Sequence, residues 1–303
     1  MNSKLRTCAA AITALFIVAL TPLAASATFP GDNGRIIFNQ GEFEAPIFLT
    51  SMEPDGSDVT RLTGTARNAF GPSWDPDGSR FIYSRESIDG NLDLFTRDAD
   101  GSNETRVTDT NGHEFDVAFG PDGNQAVFEK CGLQCDLFKI DLTTLTQTRL
   151  TDTRADESAP DWSVDDVIVF ERAPRRGDVE TFTMDPDGTN LVRLTDNEGQ
   201  DLLPSWSPDG DEIVYSRCGQ AFNCDLFTMN ADGSNKDRVT DTRGDEFGAK
   251  FSPSGLSFVV TRSRGEGRSD LFRMRTNGSN VRRLTDTPNK FEVDADWQPI
   301  VET

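Results

Sequence analysis

The stretch DLFTMNADGSNKDRVTDT, residues 225–242, returns at 93–110 as DLFTRDADGSNETRVTDT and more loosely at 270–287 as DLFRMRTNGSNVRRLTDT. A chain that copies one unit stacks copies of one supersecondary structure, so the period decides the fold. The tripeptide Arg-Leu/Val-Thr occurs six times, with its arginine at Arg61, Arg106, Arg149, Arg193, Arg238 and Arg283. The intervals are 45, 43, 44, 45 and 45 residues. A second marker, Trp or Phe ahead of a turn, keeps the same beat at Trp74, Phe119, Trp162, Trp206, Phe251 and Trp297.

Each copy divides into four short strand-like pieces. Around Trp206 they read LLPSW, EIVYS, DLFTM and DRVTD, separated by SPDG, a variable loop and NADGSN. The pieces are rich in Phe, Val, Ile and Tyr, Asp-Gly turns punctuate them, and no helical period is sustained. Four antiparallel strands per unit at this period predict an all-β, six-bladed propeller. The first copy begins at NGRIIF (33–38), which matches a second strand, while VDADWQP (293–299) is a spare first strand. The C-terminal strand is therefore expected to complete the first blade, closing the ring and removing two open sheet edges.

The first residues stand apart from the repeat. Lys4 and Arg6 precede the apolar run CAAAITALFIVAL, and Ala25-Ser26-Ala27 fits a small-x-small cleavage site. This pattern predicts a signal peptide at 1–27 cleaved after Ala27, and a secreted or periplasmic propeller at 28–303. No other segment is apolar enough for a membrane span. With 51 acidic against 30 basic residues, nucleic acid is disfavoured as a partner, because its phosphates require Lys and Arg. A monomer is expected.

The recurring WSPDG…DLFTMNADGSN…RLTDT pattern, over about residues 31–299, resembles the propeller repeats of the TolB-like family, also described as WD-like. True WD repeats carry a histidine in each blade, and this chain has only His113. The resemblance implies the propeller fold. TolB itself has an additional α/β domain and binds protein partners in the periplasm. The residues outside the repeat leave no length for that domain, so those partners and that role are not expected to carry over.

In such a fold the tight turns share one face and the variable loops share the other, which is where recognition belongs. Five residues before the marker aromatic stand Glu114, Glu157, Asp201, Glu246 and Glu292; the Trp74 copy departs, with Ala69 there and Asn68 beside it. Symmetry is expected to gather the five carboxylates at the channel mouth. Converging charges need an offset: water, a raised pKa, arginines, or a hard cation such as calcium held by oxygen ligands. The alternative is that they serve structure by accepting backbone hydrogen bonds. Arg172, Arg175, Arg176, Arg262, Arg264 and Arg268 fall in two variable loops and predict a partly basic rim.

Cys131 and Cys135, and Cys218 and Cys224, flank hairpin loops, so the disulfides Cys131–Cys135 and Cys218–Cys224 are expected after export. The Asp-Gly turns mimic EF-hand loops but lack the acidic residue at the end. Two functions compete. One is a non-catalytic scaffold binding a protein, peptide or cell-envelope polymer through the loop face and acidic mouth, with no cofactor required. The other is a propeller hydrolase or lyase acting on a peptide or polysaccharide. There is no G-x-S-x-G elbow; His113 beside Glu114 is a conceivable acid–base pair but cannot supply a multi-histidine metal site; and a near-symmetric carboxylate ring lacks two unlike acids. The scaffold is the favoured reading.

Overall fold

The computed structural model describes residues 28–42, 45–64, 66–219, 223–265 and 267–301; the leader expected at 1–27 lies outside them. Among the described residues there are strands and turns and no helix. The strands are β1 (Asp32–Glu42), β2 (Phe48–Met52), β3 (Thr60–Arg61), β4 (Ala69–Trp74), β5 (Arg80–Glu86), β6 (Leu92–Asp98), β7 (Thr105–Arg106), β8 (His113–Phe119), β9 (Gln125–Cys131), β10 (Cys135–Asp141), β11 (Gln147–Arg149) and β12 (Asp156–Trp162). They continue with β13 (Ile168–Ala173), β14 (Glu180–Met184), β15 (Val192–Arg193), β16 (Gln200–Trp206), β17 (Glu212–Cys218), β18 (Cys224–Asn230), β19 (Asp237–Arg238), β20 (Glu246–Phe251), β21 (Ser257–Gly265), β22 (Arg268–Arg275), β23 (Arg282–Arg283) and β24 (Lys290–Ile300).

Strands β4–β7, β8–β11, β12–β15 and β16–β19 form four-stranded antiparallel sheets. The remainder is an eight-stranded sheet of order β20-β21-β22-β24-β1-β2-β3, with β23 on β22. A single parallel pair, Ser269 with Phe291, joins its two halves. One half is the meander β20–β23. The other is β24 paired antiparallel to β1 from Asp32↔Ile300 to Glu42↔Lys290, followed by β2 and β3. The first strands touch in sequence, β4 with β8, β8 with β12, β12 with β16, β16 with β20 and β20 with β24, and β24 touches β4.

The repeated tripeptide has a physical reason. Its threonine hydroxyl accepts the backbone N–H that opens the third strand: Thr63 from Leu49, Thr108 from Leu94, Thr151 from Leu137, Thr195 from Thr181, Thr240 from Leu226 and Thr285 from Leu271, at 2.8–2.9 Å. Each such buried donor left unpaired would cost about 1–3 kcal/mol. Its arginine binds the acid at the head of that strand: Arg106 to Asp93, Arg149 to Asp136, Arg193 to Glu180, Arg238 to Asp225 and Arg283 to Asp270, at 2.7–2.8 Å. Where the acid is replaced by Phe48, Arg61 lies over its ring at 4.4 Å.

The marker aromatics are buried at the seams between units. Trp74 packs with Ile37, Leu49 and Leu62 of the preceding unit, and Trp206 with Val169 and Leu194. The Asp-Gly turns are Asx turns, as at Asp100, whose Oδ1 accepts from Ser102 N–H at 2.8 Å. Gly278 shows why glycine is needed there: its φ is +77°, and a Cβ would sit 2.4 Å from the Val239 carbonyl oxygen. Both cysteine pairs are disulfides between direct cross-strand partners.

Each first strand also carries a bulge. The third residue before the marker aromatic has a left-handed backbone in all six copies: Gly71, Asp116, Ala159, Leu203, Gly248 and Asp294, with φ between 44° and 61°. In β4, for example, Phe70 pairs with Ser84 but Ser73 with Ile82, so one extra residue is inserted.

Removal of residues 290–303 exposes the full length of β1 and is expected to abolish the cooperative thermal transition seen by circular dichroism. A melt superimposable on that of the full chain would contradict the role given to β24.

Candidate functional site

The five carboxylates expected at the channel mouth are buried, and each is paired inside its own unit rather than with the others. Glu114 meets Lys130 Nζ at 3.1 Å, Glu157 Arg172 Nε at 2.8 Å, Asp201 Arg217 Nε at 2.7 Å and Glu246 Arg262 Nε at 2.8 Å, while Glu292 accepts from Gln40 Nε2 at 3.0 Å. These partners are the cross-strand neighbours on the second strand. A hydroxyl or amide from the preceding loop completes each: Thr110, Thr153, Asn197, Thr242 and Thr287. Burial holds the Glu157 and Glu292 carboxyls above their usual range. The exception explains itself. Where Ala69 replaces the acid, its cross-strand partner Arg85 turns to Glu104 and lies over Phe95.

The residue one place earlier is a staple between units. Asn68 Oδ1 accepts from Ile47 N–H at 2.9 Å, Asp156 from Cys135 at 3.0 Å, Gln200 from Val179 at 3.0 Å and Asp245 from Cys224 at 3.1 Å. His113 Nδ1 occupies the same role toward Leu92 N–H at 3.3 Å. The imidazole thus serves as a backbone acceptor between units, and that hydrogen bond is to Leu92 rather than to Glu114. Of the rim arginines, Arg172 and Arg262 are spent on the carboxylates above and on the rings of Phe182 and Phe272, and Arg264 on Asp270. Arg268 is half-buried, and Arg175 and Arg176 are exposed.

The acidic centre lies elsewhere. Asp116, Asp161, Asp294 and Asp296 on the first strands, and Glu129 and Glu171 on second strands, are all buried. Lys250 is 2 % exposed and feels the charges of Asp161, Asp296, Asp116 and Asp294, which come from three other units. Its Nζ is 4.0 Å from Asp161 Oδ2. Several of these acids accept main-chain N–H groups of the next unit: Asp161 from Trp206 at 2.7 Å, Asp296 from Trp74 at 2.8 Å and Glu171 from Leu203 at 2.9 Å. Asn39 donates to Asp294. Asp116 Oδ1 and Asn39 Oδ1 are buried with no hydrogen-bond partner.

Burial, then Glu171, pushes the Asp116 carboxyl well above its ordinary range; burial, then Asp116 and Glu171, does the same to Glu129. Burial raises Asp161 and Glu171 and lowers Lys250. Among the described residues, the one group with three metal-type ligand atoms within 4.8 Å of one another is Glu129, Cys131 and Cys135, whose sulfurs form a disulfide. The five predicted carboxylates form no such group.

The bulge explains the misplacement. Glu129 and Glu171 are cross-strand partners of Phe115 and Ser158, four residues before the marker. The extra residue puts that position on the same side as the one just before the marker, and the fifth residue on the other side. The signal available in sequence was the exchange of small residues for charge: Asp161, Lys250 and Asp296 stand where other copies carry Ser73, Ala118 and Ser205.

The sequence profile of the TolB beta propeller domain matches residues 55–224, more than half of the chain. The chain matches none of the curated protein sequences. Among solved structures it is similar to TolB from Acinetobacter baumannii, with TM-score 0.75, 21 % identity, and 89 % of this chain and 68 % of that one covered. It is also similar to hydrazine synthase from Kuenenia stuttgartiensis (TM-score 0.75, 14 % identity, 89 % and 47 % covered). A third likeness is to an oligogalacturonate lyase from Vibrio parahaemolyticus (0.58, 16 %, 88 % and 81 %). At these identities the likeness is one of fold.

A carboxyl whose pKa is raised on folding keeps its proton longer when folded. Its favourable contribution is complete below the unfolded pKa and fades as pH rises through that value toward the folded one. Glu129→Gln mimics the protonated form. Its stability relative to the parent should therefore grow as pH climbs above about 4, measured by urea unfolding at pH 4 and pH 7.5. A difference independent of pH would contradict this.

Proposed function

The chain belongs to the TolB β-propeller domain family, and from that premise we propose that it is an exported, non-catalytic, six-bladed closed propeller that binds a basic peptide segment of a protein partner from its loop face. The contact of β24 with β4 and the pairing of β24 with β1 support a closed ring of six. The leader pattern at 1–27 supports export.

One observation carries the binding reading: four buried carboxyls, from Asp116, Asp161, Asp294 and Asp296, act on the buried Lys250, and two more, from Glu129 and Glu171, lie beside Asp116. Nearer the loop face, the fourth residue before the marker is apolar in every copy but that of Ser158, and Phe70, Leu202, Phe247 and Val293 pack into apolar clusters there. A lysine or arginine side chain suits this order of surfaces, because its aliphatic stem packs on apolar groups while its head seeks charge. Four of the five in-blade carboxylates are paired with a cation, Glu292 is held by amide and hydroxyl donors, and His113 is a staple, which favours binding over hydrolysis or elimination.

Fluorescence anisotropy with a labelled lysine-rich peptide, against its glutamate-substituted counterpart, tests this. The basic peptide should bind and the acidic one should not. Asp116→Asn should weaken binding by about 2 kcal/mol, roughly thirtyfold. A calcium arm asks whether a hard cation competes. Equal binding of both peptides, or turnover of a peptide or polysaccharide at the loop face, would overturn the proposal.

A further inference from the structure

The first described residues cross the molecule. Gly31 N–H donates to the Pro253 carbonyl at 3.4 Å, Asn33 Oδ1 accepts from Ser254 N–H at 3.1 Å, and Thr28 Oγ1 donates to the Phe251 carbonyl at 3.4 Å. All three partners lie at the tight-turn end of β20 or just beyond it. Yet Phe29 belongs to the buried cluster of Val117, Ala118, Phe119 and Trp162, built from other units. A chain bonded to one unit and packed into the others has to pass through the central space. Thr28 and Phe29 are 1 % and 2 % exposed, while Pro30 is exposed. The segment therefore enters the axis from the tight-turn face and points inward at Thr28.

Phe251 directly follows Lys250, so Thr28 arrives at the level of the axial acids. Among the described residues Lys250 is the cation within the cluster; Asp116 is 4 % exposed, and its Oδ1 is buried without a hydrogen-bond partner although its carboxyl also meets Glu129 and the Ala159 main chain. We infer that the α-ammonium of Thr28, freed by removal of the leader, is a built-in ligand of the axial carboxylate cluster and closes its tight-turn end. The inference rests on the export reading above. Hydrolysis of the Ala27–Thr28 amide consumes one water; Ala27 leaves with a carboxylate, and Thr28 keeps the nitrogen and takes up a proton. An uncleaved amide at this point would offer no positive charge. Cleavage is thus coupled to completion of the core, and the binding site becomes a cup open only toward the loops.

The test uses the exported protein. Intact mass reports where the chain starts; a start other than Thr28 overturns the export reading and this inference together, and is visible before any other measurement. With Thr28 first, acylation of its α-amine at pH 7, located by peptide mass spectrometry, should be at least about tenfold slower in the folded protein than in urea. Asp116→Asn should restore much of the lost reactivity, because removing the carboxylate weakens the ammonium's hold on its proton. A glycine inserted between Ala27 and Thr28 should lower the melting temperature by several degrees. Equal labelling in folded and unfolded protein, or an unchanged melt after the insertion, would overturn the inference. So would slow labelling that ignores Asp116→Asn, which would mean burial alone.

Discussion

The left-handed bulge in every first strand is the constraint on which the rest of the structure depends. It inserts one residue between the fourth and first positions before the marker aromatic, and so decides which side chains lie on each side of the first strand. It also turns a main-chain N–H toward the neighbouring unit, where Leu203 finds Glu171 and Gly248 finds Ser216 Oγ at 3.2 Å. Gly71 and Gly248 adopt this conformation freely, but Asp116, Ala159, Leu203 and Asp294 adopt it at a cost. Tightly packed seams repay that cost, through the marker aromatics and the acid-to-backbone bonds beside them.

The same bulge separates two populations of carboxylate. Those on the outer side of it meet a cation across the strand pair, or the Gln40 amide in the case of Glu292, and a hydroxyl or amide from the preceding loop. Those on the other side have Lys250 among them and accept from main-chain N–H groups and from Asn39 and Ser158. Burying ions without full pairing is expensive, and a protein relieves the expense by keeping protons on some of them. Asp116 and Glu129 are the groups on which that relief falls, which makes the centre of the molecule receptive to an added cation.

Much of this was legible in the sequence. The Arg-Leu/Val-Thr beat and the marker aromatics set the period, and both proved to be structural devices. The spare strand at 293–299 indicated its partner at 33–38, and the four cysteines indicated their hairpins. The site was not legible by counting alone, because alternation along Glu114-Phe115-Asp116-Val117-Ala118 is broken by a backbone twist that glycine marks in only two of six copies. His113 and Asn68 looked chemical because their types differ, yet they share one acceptor role with Asp156, Gln200 and Asp245. Only the register between strands reveals that role.

Carbon-13 NMR titration of the side-chain carboxyls gives the most direct test of the central claim, that buried acid gathers around Lys250 without enough positive charge to match it. The account predicts that Asp116 and Glu129 stay protonated well above the ordinary carboxylate range, while the exposed turn residues Asp100 and Asp187, held low by hydrogen bonds from Ser102 and Thr189, titrate below it. Titration of Asp116 and Glu129 within the ordinary range would contradict it.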